Sequence, residues 1–143
     1  MLGMRGMEVR KGSGQQGYFE VRIVRRCRDC ASILIGLTTN DELLVIPGIC
    51  PRRWLQHTYA WCQDGSIIHP NGDSDILKFR TGDVVGLMVD CVEMPTLRFF
   101  MNGVLVHQLG LRQEDYGSIL YPAFLLNFAQ IHISSNPGLP IEF

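Results

Sequence analysis

Hydrophobic and polar residues alternate along much of the chain in short segments with a period of two residues. Phe19, Val21 and Ile23 fall on one side of such a segment, for example, and charged residues fall between them. Successive side chains of a β-strand point to opposite faces, so this alternation predicts a strand with one buried face. The run from Val84 to Val89 is almost entirely apolar. It is typical of a central strand that is covered on both faces.

Turn signals separate these segments. Asn102-Gly103 stands between two strand-like runs and predicts a β-hairpin, because a type I′ turn needs a positive φ at both central residues. Residues 111–117 predict at most a single helical turn. The predicted strands cover residues 18–23, 33–37, 59–62, 67–68, 84–89, 96–101, 104–108, 121–126 and 130–134, and residues 76–79 predict a further short segment.

Many short strands without a helical period predict an all-β fold, either a two-sheet antiparallel sandwich or a barrel. The composition agrees, because the 143 residues include 22 Val and Ile but only 4 Ala. We expect one domain over residues 17–136, a flexible arm over 1–16 and a C-terminal tail over 137–143. Six aromatic residues are expected in the core: Tyr59, Trp61, Phe99, Phe100, Tyr121 and Phe124.

The net charge of −1 predicts no general affinity for nucleic acid, although residues 1–28 carry seven Arg and Lys against two Glu. The longest aliphatic run is Leu43–Ile46, so we expect no membrane span. The start of the sequence has no apolar segment of the kind found in secretory signals. We therefore expect an intracellular, cytoplasmic protein.

The five cysteines fit free thiols in a reducing compartment. Cys27 and Cys30 form a CxxC pair, but a structural zinc site needs a second pair at matching spacing. A thioredoxin-type site needs the pair at the start of a helix. We predict no metal and no cofactor, with zinc binding and redox catalysis as the less favoured alternatives.

No pattern of catalytic residues is present. Ser66 and Ser118 lie outside any GxSxG sequence, and the four histidines show no pairing signature. The sequence Asp73-Ser74-Asp75 has some likeness to a calcium loop, but it lacks the glycine and the terminal glutamate of an EF-hand. Jelly-roll sandwiches include lectins, so a carbohydrate-binding domain, with or without calcium, is the alternative to a protein-binding module.

The strand segments together resemble the SPRY domain family over about four-fifths of the chain. The resemblance implies a bent antiparallel β-sandwich with jelly-roll-like, concanavalin-like topology, and a non-catalytic protein-interaction module. The family's N-terminal PRY segment is not found. The matching segments are GYFEVRI at 17–23, ILIGLTT at 33–39, TYAWCQDGSIIHPNG at 58–72, FRTGDVVGLMVD at 79–90, LRFFMNGVLV at 97–106 and LYPAFLL at 120–126.

The resemblance also implies a binding site on loops, at about residues 25–31, 47–57 and 125–130. Arg and Trp dominate interface hot spots, so these loops predict a basic pocket with aromatic anchors for an acidic or amide-rich peptide. The sequence does not indicate the oligomeric state. The predicted partner-binding residues are Arg26, Arg28, Arg52, Arg53, Trp54, His57, Asn127 and Phe128.

Overall fold

The computed structural model describes residues 7–25, 33–39, 58–69, 72–75, 77–126 and 130–134. These residues form eleven β-strands and one short 3₁₀ turn, Gln113–Asp115. The strands are β1 Met7–Glu8, β2 Gln16–Arg25, β3 Ile33–Thr38, β4 Thr58–Cys62, β5 Ser66–His69, β6 Gly72–Asp75, β7 Val84–Asp90, β8 Thr96–Met101, β9 Val104–Gly110, β10 Ile119–Leu126 and β11 Gln130–Ser134.

The strands form two sheets in which the paired strands run antiparallel. The six-stranded sheet has the order β1-β10-β3-β4-β5-β6, and the five-stranded sheet has the order β11-β2-β7-β8-β9. Apolar residues that alternate along β2, β7 and β8 are buried between the two sheets. The all-β antiparallel sandwich predicted from the sequence is confirmed.

Trp61 lies in the core, with no exposed surface. Its ring makes edge contacts with Phe79, at 5.0 Å between centroids, and with Phe99, at 5.7 Å. The indole Nε1 donates a hydrogen bond to the carbonyl oxygen of Leu77 at 3.0 Å, so the buried polar atom is satisfied. Trp61 thus fixes the segment that contains Leu77 against the sandwich.

Two of the aromatic residues predicted for the core are not in it. Phe100 is only partly buried and lies on the outer face of the five-stranded sheet, opposite Gly86. Adjacent strand residues point to opposite faces, and the inward position belongs to the fully buried Phe99. Tyr121 is also partly exposed. Tyr59, Trp61, Phe99 and Phe124 are buried as predicted.

The outer face of β7 is covered locally by Tyr18 of β2. The Tyr18 hydroxyl occupies the space above Gly86, where an added Cβ would lie 2.3 Å from the hydroxyl oxygen. The ring makes an edge contact with Phe100 at 5.9 Å between centroids, and the hydroxyl donates to a carboxylate oxygen of Glu20 at 3.0 Å. β7 is therefore covered on both faces at this point, as the apolar run predicts.

Residues 7–16 differ from the flexible arm that the sequence predicts. Met7 and Glu8 pair with Leu120 and Ile119 of β10, and Val9 is fully buried. The amide of Gly12 donates to the carbonyl oxygen of Glu93 at 2.9 Å. These contacts involve distant parts of the chain, so a local periodicity does not reveal them.

The Asn102-Gly103 hairpin forms as predicted, with φ values of 52° and 82°. The Asn102 side chain also connects the hairpin to the turn before β7. Its Oδ1 accepts from the Val84 amide at 2.8 Å, and its Nδ2 donates to Asp83 at 3.1 Å. The hairpin and this turn are thereby held together at one end of the five-stranded sheet.

Candidate functional site

All eight predicted partner-binding residues lie outside the residues that the structure describes, so they stay predictions. The described strand ends nevertheless show where their segments start and finish. These positions decide which of the predicted loops emerge next to each other. The residues concerned are Arg26, Arg28, Arg52, Arg53, Trp54, His57, Asn127 and Phe128.

Two of the three predicted segments are anchored side by side. The segment 26–32 connects Arg25 to Ile33, and the segment 127–129 connects Leu126 to Gln130. Arg25 pairs with Gln130 in one sheet, and Ile33 pairs with Leu126 in the other. These four anchoring residues therefore lie at the same end of the sandwich, two in each sheet. We call this end, defined by those four residues, the loop end.

The third predicted segment is anchored elsewhere. It leaves after β3 and returns at Thr58, which pairs with Thr38. Thr38 and Ile33 are the opposite ends of β3, and the rise of a strand places them about 17 Å apart. The anchors of residues 47–57 are thus at the far end of the sheet from the loop end.

Two described segments form a rim at the loop end. The amide of Gln63 donates to the carbonyl oxygen of Ile33 at 2.9 Å, which places the turn after β4 next to the start of β3. The amide of Phe79 then donates to the carbonyl oxygen of Gln63 at 3.0 Å, and that of Gly82 to the carbonyl oxygen of Ile23 at 2.8 Å. Residues 77–82 therefore run across this end from one sheet to the other.

The rim is basic, with one apolar residue. Arg25, Lys78 and Arg80 are exposed, and Leu77 keeps 49% of its surface exposed although its carbonyl is fixed by Trp61. The sequence alone does not identify residues 77, 78 and 80 as site residues, because the FRTGD motif there is typical of a turn that precedes a strand. The signal for these residues in the sequence is the spacing of Lys78 and Arg80, which are separated by one residue and preceded by Leu77.

Two acidic residues near this rim, Asp83 and Asp64, accept local hydrogen bonds. Asp83 accepts from the Arg80 amide at 2.8 Å and from Asn102. Asp64 accepts from the hydroxyl and the amide of Ser66, and these two bonds hold the pKa of Asp64 below its usual value. Both carboxylates therefore accept hydrogen bonds within turns, and the nearby positive charge of Lys78 makes a smaller contribution to the lowered pKa of Asp64.

An open groove of about 510 Å³ adjoins the loop end on the outer face of the five-stranded sheet. Its apolar lining comes from Val24, next to Arg25, and from Val84, next to Asp83. Its polar lining comes from Glu20, Arg22 and His132. The groove offers apolar contacts and polar groups to a chain that is bound at the loop end.

Within the described residues, no group of three or more His, Cys, Asp or Glu side chains is arranged to hold a metal ion. Cys62 and Cys91 are buried and form no disulfide, and burial raises the pKa of Cys91. Cys27 and Cys30 lie outside the described residues, so their assignment as free thiols stays a prediction. The described ranges contain no helix with the length and hydropathy needed to cross a membrane.

Comparison with known proteins gives a consistent result for sequence and for structure. Residues 16–140 match the family model of the SPRY domain. The SPRY domain of human HERC1 superposes with a TM-score of 0.67 at 16% identity, over 92% of this chain and 79% of that one. A second human SPRY domain superposes with a TM-score of 0.63 at 19% identity, over 93% and 83% of the two chains.

Stonustoxin also contains a similar fold. Its structure superposes with a TM-score of 0.58 at 18% identity, over 87% of this chain and 20% of the toxin chain. No protein with a curated description matches the sequence. At these identities the solved structures show the same fold, and the family assignment rests on the match over residues 16–140.

Proposed function

Because this chain belongs to the SPRY domain family, whose members are generally protein-interaction modules, we propose that it is a non-catalytic module that binds a peptide or a loop of a partner protein at the loop end. The observation that carries this proposal is the pair of registers at that end. Arg25 lies opposite Gln130 and Ile33 lies opposite Leu126, so segment 26–32 starts beside the end of segment 127–129 and ends beside its start. Rigid sandwiches position such loops for recognition.

The charge of the described rim supports an acidic partner. Arg25, Lys78 and Arg80 are exposed, and the predicted contacts Arg26 and Arg28 would add two further cations. Charge complementarity of this kind steers association and increases its rate at low salt. Leu77 supplies an apolar contact within the rim. Asn127 and Phe128, on the neighbouring segment, are proposed as an amide contact and an aromatic anchor.

Arg52, Arg53, Trp54 and His57 are proposed as a second set of contacts. Their segment is anchored at the other end of β3, so it is tested separately from the loop-end set. A long segment of this kind in a sandwich with tight turns is often functional. An effect of this set alone would move the proposed site to the Thr38–Thr58 end.

The test uses a purified partner, obtained by affinity capture with the full chain, and calorimetric titration. The loop-end variants are Arg26→Ala/Arg28→Ala and Asn127→Ala/Phe128→Ala, and the second set is Arg52→Ala/Arg53→Ala/Trp54→Ala. The two lysines of the chain provide a matched pair: Lys78 is in the rim, and Lys11 is exposed near the turn between β7 and β8 at the opposite end. Lys78→Glu is therefore compared with Lys11→Glu.

We expect the removal of a loop-end anchor side chain to weaken binding by at least about 2 kcal/mol, or about thirtyfold in Kd, without a change in melting temperature. Lys78→Glu should weaken binding severalfold, and Lys11→Glu should leave it within twofold. Equal effects of the two lysine variants, or loop-end variants that bind like the wild type, would refute the proposed site. A melting temperature raised by a monosaccharide with calcium would favour the carbohydrate-binding alternative instead.

A further inference from the structure

β9 forms an edge of the five-stranded sheet and contains no Asp, Glu, Lys, Arg or Pro. Within the described part of the chain, β8 is the strand that pairs with it, and no strand pairs with its other side. An edge strand presents free N–H and C=O groups, and proteins usually guard such edges with charges, proline, bulges or very short strands. The seven residues of β9, Val104–Gly110, have little of this protection.

The other edges that the described residues show are better guarded. β1 has two residues and β6 has four, so both are very short. β11 has five residues and a register shift at its start. β9 also has a register shift, opposite Phe99/Phe100, but its residues 107–110 continue in regular register along β8. β9 is therefore the longest of these edges and the one with the fewest protecting features.

Exposed apolar residues mark both ends of this edge. Val104 and Leu105, at its start, keep 63% and 47% of their surface exposed. Val92 and Met94, in the turn between β7 and β8, keep 51% and 49% exposed. This turn adjoins the other end of β9, because Thr96 pairs with Gly110.

The turn that presents Val92 and Met94 is held in place by its own hydrogen bonds. The Val92 amide donates to Asp90 at 3.0 Å, and the Asp90 carboxylate also accepts from Arg98. Burial would raise the pKa of Asp90, but these bonds outweigh it and hold the pKa below its usual value. The apolar pair is thus presented by a rigid turn, which reduces the entropy lost on binding.

We propose that β9 pairs with β9 of a second copy of this chain, antiparallel and about a two-fold axis. The two five-stranded sheets then form one continuous sheet across the dimer. An antiparallel arrangement places the Val104–Leu105 end of one copy beside the Gly110 end of the other, close to Met94. The surface is self-complementary, and a strand without charges brings no like charges together. The contact goes beyond the proposed partner site, because the loop-end residues take no part in it.

The dimer is weak. Pairing one seven-residue strand buries less surface than the roughly 1,200–2,000 Å² of a stable interface. We therefore expect a dissociation constant on the order of 10–100 µM, in the range of transient complexes. The free protein is monomeric when dilute and dimeric when concentrated.

Sedimentation velocity of the full chain from about 5 to about 500 µM tests the proposal, because this range spans the expected constant. Gln108 is exposed near the middle of β9, so in the dimer it lies opposite or diagonal to its own symmetry mate. Gln108→Lys and Gln108→Glu should each raise the dissociation constant at least tenfold, because like charges then face each other. An equimolar mixture of the two variants should associate again. Gln130→Lys, the same change on the exposed start of β11 at the other edge, is the matched control.

Dimerisation of the wild type that is lost in each Gln108 variant, restored in the mixture and kept in Gln130→Lys supports the proposal. Three results overturn it. The wild type stays monomeric to the highest concentration, or both Gln108 variants dimerise like the wild type, or Gln130→Lys abolishes the dimer. If a variant fails to fold, the wild-type dilution series by itself still tests whether the chain dimerises.

Discussion

The hydroxyl of Tyr59 on β4 donates a hydrogen bond to the carboxylate of Asp115, 56 residues later in the 3₁₀ turn. Both residues are buried, with 1% and 4% of their surface exposed. The hydroxyl oxygen accepts from the Arg112 amide at 3.2 Å, and the Arg112 Nε donates to Asp115 at 3.0 Å. The Arg112 guanidinium therefore balances the charge of the buried carboxylate, and the bond from Tyr59 fixes the turn to the six-stranded sheet.

Removal of the Tyr59 hydroxyl should lower the free energy of unfolding. Tyr59→Phe leaves the buried Asp115 carboxylate without one of its donors, so we expect a loss of about 1–3 kcal/mol in the free energy of unfolding. Tyr18→Phe removes a hydroxyl from the more accessible Glu20 and should cost about 1 kcal/mol or less. Urea denaturation of both variants measures the difference. An equal cost for the two changes would contradict the role given to the Tyr59–Asp115 bond.

The same bond makes stability depend on pH in the alkaline range. Burial, and then the hydrogen bond to Asp115, raise the pKa of Tyr59 well above its usual 10.0. As the pH rises past 10, the unfolded chain loses this proton while the folded chain keeps it, so stability falls with rising pH. We expect a decline in melting temperature from about pH 9.5 upward that is less steep in Tyr59→Phe. A variant with the wild-type slope would show that Tyr59 is not responsible.

Two glycines in strands should respond differently to alanine. A Cβ on Gly36 would lie 2.0 Å from the carbonyl oxygen of Tyr59, in the backbone of the neighbouring strand. The three atoms nearest to a Cβ on Gly86 all belong to the outer part of the Tyr18 side chain, which can move more easily than backbone. We expect Gly36→Ala to cost about 3 kcal/mol or more and Gly86→Ala about 1–2 kcal/mol in thermal unfolding. The reverse order would contradict the close approach of β3 and β4.

Trp61 should contribute most among the core aromatic residues. Trp61→Ala removes a fully buried ring and its contacts with Phe79 and Phe99, so we expect a loss of about 3–5 kcal/mol. Trp61→Phe keeps part of the packing but leaves the Leu77 carbonyl without its donor, and should cost less. Chemical denaturation measures both variants. A Trp61→Ala protein as stable as the wild type would contradict the position of this residue in the core.

The sequence predicts the strands well because their signals are local. Alternation places Phe19, Val21 and Ile23 in the core, and Asn102-Gly103 marks the hairpin. The prediction that Phe100 lies in the core is wrong. Alternation allows only one of two neighbouring strand residues to point inward, and Phe99 takes that position. Met7 and Glu8 are held by two residues of β10, and so short and distant a pairing leaves no pattern in the sequence.

The candidate site was harder to predict, because it depends on which strand ends meet. The segments before and after β3 must start from its opposite ends, so residues 25–31 and 47–57 are not anchored together. This follows from strand geometry alone. The rim at Lys78 and Arg80, by contrast, depends on the contacts of residues 63 and 33, which only the folded structure reveals.

The proposal that a partner binds at the loop end is tested most directly by hydrogen exchange with and without the purified partner. Amides that become buried by a ligand exchange more slowly, so the protected peptides show where the partner lies without any mutation. We predict protection of peptides that include Arg25, Ile33, Leu126 and Gln130 and the rim at residues 77–82. Peptides from residues 7–16 and from β9 should exchange as in the free protein at dilute concentration. Protection confined to those two regions, with unchanged exchange at the loop end, would contradict the proposed site.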